Sequence, residues 1–152
     1  MCIGGAGLAR GYWRRPELTA EKFIVHPQFG RLYRTGDLAH RDPDGRLFCY
    51  GRIDSQVKVR GYRIELDEID VQLQRCDGVR EAASTVQGDG ASARLVAFVV
   101  PADPSAPLTP KALRDALLKT LPSYMVPSQF ATIAALPRTV GGKLTRAQLP
   151  ML

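Results

Sequence analysis

The chain has 152 residues, of which 45% are hydrophobic and 24% charged, and its 21 lysines and arginines outnumber 15 acidic residues to give a formal net charge of +6. This length allows one ordinary domain with a sizeable core, and no apolar run approaches the length of a membrane span. The basic residues are scattered rather than grouped, which argues against a nucleic-acid-binding tract and is compatible with a phosphate-bearing small molecule.

Cysteine and histidine are sparse. Cys2, Cys49 and Cys76 are odd in number and far apart, which fits neither a zinc site nor a disulfide framework. His26 and His40 are too few for a histidine-based metal cluster. We therefore expect no metal site, reduced thiols and, because no signal peptide is recognisable, a cytoplasmic protein.

Residues 1–50 are rich in glycine, aromatics and turn signals. The sequence Asp-Pro-Asp-Gly at 42–45 predicts a tight reversal, and residues 47–50 predict a short strand. Further on, apolar Val57 and Val59 alternate with charged neighbours, which predicts a strand with one solvated face.

A helix is predicted from Leu66, because Leu66, Ile69, Leu73 and Cys76 form one apolar stripe and Gly78 stands where the helix would stop. Acidic residues crowd its start, where they would favour the positive end of the helix dipole: Asp67, Glu68 and Asp70.

The remaining pattern predicts two strands, a helix and a last strand. Residues 79–86 and 94–100 are β-rich and separated by Gly-Asp-Gly, which indicates a hairpin. Thr109 before Pro110 predicts a capped helix up to Leu121, and residues 130–136 predict a strand. The order of elements favours an α+β fold with short sheets flanked by helices.

Four sequence stretches resemble the motifs of one family. Residues 51–66 read Gly-Arg-Ile-Asp-Ser-Gln-Val-Lys-Val-Arg-Gly-Tyr-Arg-Ile-Glu-Leu, and residues 33–38 read Tyr-Arg-Thr-Gly-Asp-Leu. Leu-Pro-Ser-Tyr-Met-Val-Pro follows at 121–127 and Leu-Pro-Arg-Thr-Val-Gly-Gly-Lys at 136–143. In content and order these resemble the amino-acid adenylation domains of nonribosomal peptide synthetases, members of the adenylate-forming enzymes.

The resemblance implies a division of the chain. Residues 1–53 would be the β-rich end of the large amino-terminal core domain, and residues 54–152 the small mobile carboxy-terminal lid domain. The substrate pocket and the phosphate loop of the large domain are not in the sequence. We therefore expect a fragment or a deliberately truncated version of a longer enzyme, inactive alone because positioning supplies much of the acceleration.

The resemblance makes Lys143 the catalytic residue, which would contact the substrate carboxylate and the ATP α-phosphate. Without it, a lysine after two glycines would more often be a solvated surface residue. Two other phosphate motifs fail, since Pro137 and Leu144 stand where a triphosphatase loop needs Gly and Ser or Thr. Arg10 likewise breaks the dinucleotide fingerprint.

By the same resemblance, Asp37 and Arg52 would bind the ATP ribose, and Asp54 would be the hinge about which the lid turns. Asp37 could instead satisfy nearby backbone amides, and Arg52 could be a surface ion-pair partner.

In a second pose of the lid, Lys58, Arg60 and Gly61 would line the path of the phosphopantetheine arm. Gly61 could equally mark a simple bend. Lys58 and Arg60 could equally form a solvated face.

Four positions depart from the usual motif: Gly141 replaces asparagine, Thr145 aspartate, Val140 proline and Asp67 glycine. The loss of asparagine and proline should loosen the lysine loop.

The implied activity joins an amino acid to AMP with ATP and Mg²⁺ and passes the acyl group to the phosphopantetheine thiol of a peptidyl carrier domain. The expected partners are the amino acid, the carrier and the rest of the adenylation domain, with no nucleic acid and no membrane. An acyl- or aryl-CoA ligase fragment is the nearest alternative, against which Gln56 and Arg60 argue. A non-catalytic module that binds a carrier through its basic face is the other.

Overall fold

A computed structural model of the chain describes residues 1–106 and 108–152. It divides into two compact units, Met1–Asp54 and Ser55–Leu152. The described part contains three short α-helices and ten strands in small sheets, so the predicted α+β class is confirmed.

The first unit is mostly β-structure. Its elements are β1 (Cys2–Gly4), α1 (Pro16–Lys22), β2 (Phe23–His26), β3 (Gly30–Arg34), β4 (Asp37–Arg41) and β5 (Leu47–Arg52). Strand β3 lies between β1 and β2 in an antiparallel sheet, and β4 pairs with β5. The predicted reversal at 42–45 joins β4 to β5, with the Asp42 carboxylate accepting the Arg46 N–H at 2.8 Å.

No residue described in the first unit is buried. Large apolar side chains are instead highly exposed, including Trp13 at 85% and Tyr50 at 70%. A stretch of this size with no buried side chain lacks the hydrophobic core that stabilises an independent domain.

The described residues of the second unit form two α-helices and five strands. Its elements are β6 (Gln56–Val59), β7 (Tyr62–Glu65), α2 (Leu66–Gln74), β8 (Val79–Gln87), β9 (Arg94–Pro101), α3 (Pro110–Leu117) and β10 (Gln129–Thr132). Strands β6 and β7 form a hairpin that includes the strand predicted around Val57 and Val59, and β8 and β9 form the predicted hairpin. Strand β10 extends this second sheet parallel to β9, so that its order is β10-β9-β8.

The helices form as their sequence patterns predict. In α2 the stripe of Leu66, Ile69 and Leu73 is buried, at 3% exposure or less. The Thr109 side chain caps α3 by accepting the Ala112 N–H at 3.3 Å.

Three elements are shorter than predicted. Helix α2 ends at Gln74, about one turn before Gly78, and α3 ends at Leu117 rather than at Leu121. Strand β10 ends at Thr132, opposite Val99, because its neighbour β9 ends at Pro101, which has no N–H to donate.

Strand β9 is buried on both faces and divides the core. Leu95, Ala97 and Val99 point into a cluster with residues of α2 and α3. Val96 and Phe98 point to the other side, where side chains from beyond β10 cover them. The segment after β10 is therefore packed on the sheet rather than loose.

Candidate functional site

Lys143 lies on a tight turn after β10. Arg138 and Leu144 form an isolated antiparallel bridge, and the Thr139 N–H donates to the Lys143 carbonyl at 2.9 Å. Val140 at the tip is fully exposed, and Lys143 itself is exposed. Within the described residues its ammonium makes no hydrogen bond or ion pair, so it can meet an anion brought from outside.

Apolar side chains hold the segment on both sides of this turn. Leu136 precedes it and Leu149 follows it, each 7% exposed, and both pack with Phe98. The turn therefore projects from a segment whose two ends are fixed in the core. Gly141 has room for a side chain, since a Cβ there would lie 3.9 Å from Thr139 Oγ1. The expected loosening of the loop stays a prediction.

Arg146 forms a second attachment. Its Nε donates to the Ser84 carbonyl at 3.0 Å, and its Nη2 lies 2.6 Å from Asp67 Oδ1 and 2.5 Å from Asp70 Oδ2. The segment is thus tied to β8 and to α2. Asp67, which replaces the usual glycine, has a structural use here.

Asp70 is buried, and it lies beyond the first turn of α2, which holds Asp67 and Glu68 but not Asp70 as predicted. Its Oδ1 accepts both the N–H and the hydroxyl of Ser84 at 2.6 Å. Burial raises the pKa of Asp70 to about 6, against the opposing effects of Ser84 and Arg146. Asp70 therefore loses its proton near neutral pH rather than in acid.

In the first unit, the Arg52 guanidinium binds the carboxylates of Asp37 and Asp54, so three residues predicted to be functional lie together. Its Nε and Nη2 donate to the two oxygens of Asp54 at 2.6 Å, a two-pronged pair, while Nη1 donates to Asp37 Oδ1 at 2.6 Å. Nη2 also donates to the Thr35 carbonyl at 3.0 Å. A side chain at Gly36, where φ is +84°, would meet the Arg52 and Asp54 side chains at 2.6 Å, so only glycine fits.

The hydrogen bond with Asp54 raises the pKa of the Arg52 guanidinium above its usual value, and the charges of Asp54 and Asp37 add to this. Partial burial opposes the shift but is outweighed. Arg52 is therefore a permanent cation shared by the two carboxylates. Oδ2 of Asp37 accepts no hydrogen bond within the described residues, and it remains open to hydroxyl donors.

The residues expected to face the pantetheine arm lie at the turn between β6 and β7. Arg60 and Gly61 have φ of +50° and +84°, as in a two-residue type I′ hairpin. Lys58 and Arg60 are exposed. Beside the turn, the rings of Tyr62 and Tyr124 stack with their centroids 4.3 Å apart.

Gln56, cited above as a mark of the peptide-synthetase branch, serves the same hairpin. Its Nε2 donates to Glu65 Oε1 across the paired strands. Gln56 therefore supports the pairing of β6 with β7.

Comparison with known proteins identifies the family. The model for the family described as "AMP-binding enzyme C-terminal domain" matches residues 68–143. The chain belongs to this family. Along 99% of its length it is also 52% identical to tyrocidine synthase 3 of Brevibacillus parabrevis.

Solved structures of the AMP-binding enzyme family share the fold. IdnL1 aligns over 86% of this chain with a TM-score of 0.75 and 38% identity, covering 27% of that chain. The four-domain nonribosomal peptide synthetase AB3403, solved with AMP and glycine, aligns over 99% with a TM-score of 0.59 and 44% identity. The predicted resemblance to the carboxy-terminal part of such adenylation domains is confirmed.

The chain spans only a small part of these relatives. It covers 2% of tyrocidine synthase 3 and 12% of AB3403.

The described part of the chain offers neither a membrane span nor a metal cluster. No described helix has both the length and the hydropathy that a membrane span needs. Over residues 1–106 and 108–152, no group of three or more His, Cys, Asp or Glu side chains could hold a metal ion. The three cysteines are free thiols.

The sequence did not reveal the arginine contacts around Lys143. Arg138 pairs with Glu81, 57 residues earlier, and Arg146 with Asp67, 79 residues earlier. The only sequence signal was an arginine on either side of Lys143. Which acidic residues they meet depends on the packing of this segment on β8.

Proposed function

We propose that this chain is the carboxy-terminal part of an amino-acid adenylation domain that forms aminoacyl-AMP from ATP and an amino acid. The acyl group then passes to the phosphopantetheine thiol of a peptidyl carrier domain. The observation that carries the proposal is the exposed Lys143 on an anchored turn, whose ammonium has no partner among the described residues, in a chain 52% identical to tyrocidine synthase 3.

Lys143 acts as a point charge. When the carboxylate of the amino acid attacks the α-phosphorus of ATP, the bond to the β-phosphate breaks and pyrophosphate leaves. Negative charge gathers on the phosphoryl oxygens in this step, and an ammonium held beside them stabilises that charge. A preorganised contact of this kind contributes about 3 to 4 kcal/mol, or a hundredfold to a thousandfold in rate. The turn holds the backbone of Lys143 in place before the substrates arrive.

Asp37 and Arg52 bind the ribose in this proposal. Oδ2 of Asp37 accepts hydrogen bonds from the ribose hydroxyls, while Oδ1 stays with Arg52 at 2.6 Å. Through this hydrogen bond, Arg52 orients the Asp37 carboxylate.

Asp54 is the hinge at which the two units, Met1–Asp54 and Ser55–Leu152, meet in the chain. Rotation there would exchange the Lys143 turn for the turn of Lys58, Arg60 and Gly61, which lines the pantetheine path. One mobile domain would thus serve two half-reactions.

Mg²⁺ would be held elsewhere in the complete enzyme, because the described residues offer no metal cluster. No step assigned to this chain requires it. By the same proposal, the isolated chain releases no pyrophosphate from ATP with any amino acid, because it lacks the large domain that positions the substrates.

The test uses the complete parent enzyme and measures its two half-reactions separately. Lys143→Ala should slow adenylation, measured as ATP–pyrophosphate exchange, by about a hundredfold to a thousandfold. Transfer from preformed aminoacyl-AMP to the carrier should stay near normal. Lys119→Ala removes an exposed lysine just after α3 and is the matched control. Unchanged exchange with Lys143→Ala would refute the proposal.

The acceptor separates the alternatives. An acyl- or aryl-CoA ligase would transfer its acyl group to free coenzyme A rather than to a carrier-bound arm. A non-catalytic module would bind the carrier tightly as the isolated chain and show no dependence of any rate on Lys143. The proposal expects transfer to the carrier and dependence of adenylation on Lys143.

A further inference from the structure

We propose that Arg138 is a positioning residue for Lys143, and that Glu81 on β8 fixes Arg138 for this task. The inference rests on the proposed function, since it concerns how the catalytic lysine is aimed. It gives a task to two residues, Arg138 and Glu81, to which the sequence analysis assigned no role and which touch no reacting atom.

Arg138 binds two partners at once. Its Nη1 donates to the Gly142 carbonyl at 2.9 Å, and its Nη2 lies 2.5 Å from Glu81 Oε2. The guanidinium is planar and rigid, so fixing one nitrogen orients the other. Glu81 therefore determines where Arg138 holds the carbonyl.

That carbonyl belongs to the peptide that leads into Lys143. The N–H of the same peptide donates to Thr139 Oγ1 at 3.2 Å, and the Gly142 N–H donates to the Thr139 carbonyl at 2.9 Å. The plane of the Gly142–Lys143 peptide is thus held at both ends. This plane sets the direction in which the Lys143 side chain leaves the backbone. By fixing the plane, Arg138 orients the side chain that carries the ammonium.

Gly142 makes this restraint necessary. Its φ is +81°, and Gly141 precedes it, so two residues with no side chain carry the turn. Such a turn has wide conformational freedom unless hydrogen bonds close it. The Arg138 contact restrains the glycine pair that precedes the lysine.

Glu81 is well placed as the fixed point. The register between β8 and β9 shifts between Val79 and Glu81, an irregularity that redirects a side chain from a strand. The other carboxylate oxygen, Oε1, lies 3.9 Å from Arg80 Nε. Glu81 thus stands between two arginines on a strand that belongs to the core sheet.

The contact is too exposed to matter for stability. The Arg138 and Glu81 side chains are 45% and 31% exposed, and ion pairs in such settings add little to folding. Leu136, Leu149 and Arg146 hold the segment independently of Arg138. Removing Arg138 should therefore leave the fold and loosen only the aim of Lys143.

The experiment compares variants of the complete parent enzyme in both half-reactions. Arg138→Ala should lower kcat for adenylation about tenfold or more, since a misplacement near 1 Å can cost up to about a hundredfold. KM for ATP, the rate of transfer from preformed aminoacyl-AMP, and Tm should stay near normal. Lys111→Ala, which breaks the exposed pair with Asp115 at 2.6 Å, is the matched control and should change none of these.

A charge swap separates positioning from ion pairing. In the double variant Glu81→Arg with Arg138→Glu, the ion pair can re-form, but a glutamate cannot donate to the Gly142 carbonyl. The proposal expects no recovery of kcat in the swap. It also expects a smaller loss in Glu81→Gln than in Arg138→Ala, because the donor to Gly142 remains.

Three results would overturn the inference: full recovery in the swap, a normal kcat in Arg138→Ala, or an equal loss in both half-reactions. Failure of the proposed function is a different result, because it appears as normal adenylation in Lys143→Ala. If Arg138→Ala does not fold, Glu81→Gln and the swap decide between positioning and structure by the same kcat comparison.

Discussion

Arg60 has a left-handed backbone conformation, which is unfavourable for a residue with a side chain. Its φ of +50° lies in the left-handed region, which costs a residue with a Cβ about 1 kcal/mol or more. Asparagine and glycine are preferred at this place in a type I′ turn. A position that keeps arginine against this preference is a candidate for function rather than stability.

We expect Arg60→Asn to stabilise the second unit while impairing carrier loading. Relief of the strain should raise the free energy of unfolding by about 0.5 to 1 kcal/mol in urea titration. In the parent enzyme, transfer to the carrier should fall and adenylation should not. Arg63→Asn removes the same charge from the exposed face of β7 and should bring no gain in stability. A lower stability for Arg60→Asn would contradict this account of the turn.

At the residue scale, the sequence supplied the motif positions but not their partners. Asp37, Arg52 and Asp54 were assigned separately, and their convergence on one guanidinium follows from the pairing of Asp37 with Arg52 across β4 and β5. Such contacts depend on strand register, which the local pattern does not determine. Their roles in binding and hinge motion stay predictions.

Helices and strands were predictable where their buried apolar residues recur with the period of the helix or strand. The stripe of α2 and the cap of α3 specify those helices, and the continuous apolar run of β9 suits a strand buried on both faces. Strands β1 to β4 and helix α1 were not predicted. They are short and bury no side chain.

The contact between α2, β8 and the segment after β10 should make stability depend on pH. The pKa of Asp70 is about 6 in the folded chain and near 4 in an unfolded one, so the folded state binds this proton more tightly. Its contribution is fully present below about pH 4 and is lost as pH rises through about 6. The group lowers the free energy of unfolding by about 2 to 3 kcal/mol between pH 4 and 7.

Urea titrations from pH 4 to pH 7 measure this effect. Subtracting the curve of Asp70→Asn from that of the unmodified chain isolates the Asp70 contribution from those of other carboxylates. The difference should decline with rising pH. Asp77→Asn, at an exposed site, should follow the unmodified chain. A difference that grows with pH would mean that Arg146 and Ser84 outweigh burial.

At the scale of the whole molecule, the two units differ in what stabilises them. The second has two buried clusters on either side of β9, whereas the first has no buried residue and exposes Trp13 and Tyr50. Exposed aromatic side chains on an otherwise coreless unit indicate a surface that another part of a protein covers. This agrees with the proposal that residues 1–53 complete a larger domain.

We expect residues 55–152 to fold alone and residues 1–54 not to. The larger piece should show a cooperative thermal transition by circular dichroism and a helical signal from α2 and α3. The smaller piece should show no cooperative transition, because it has no core to lose. Cooperative unfolding of residues 1–54 alone would contradict the view that they depend on a missing partner surface.

The most direct test of the central claim is a structure of the complete parent enzyme bound to a non-hydrolysable aminoacyl-AMP analogue. The quantity to measure is the distance from Lys143 Nζ to the oxygens of the analogue where the carboxyl and phosphate groups join. The account predicts that at least one pose of the lid brings Nζ within hydrogen-bond distance, about 3 Å. A lysine that stays remote from the analogue in every pose would contradict it.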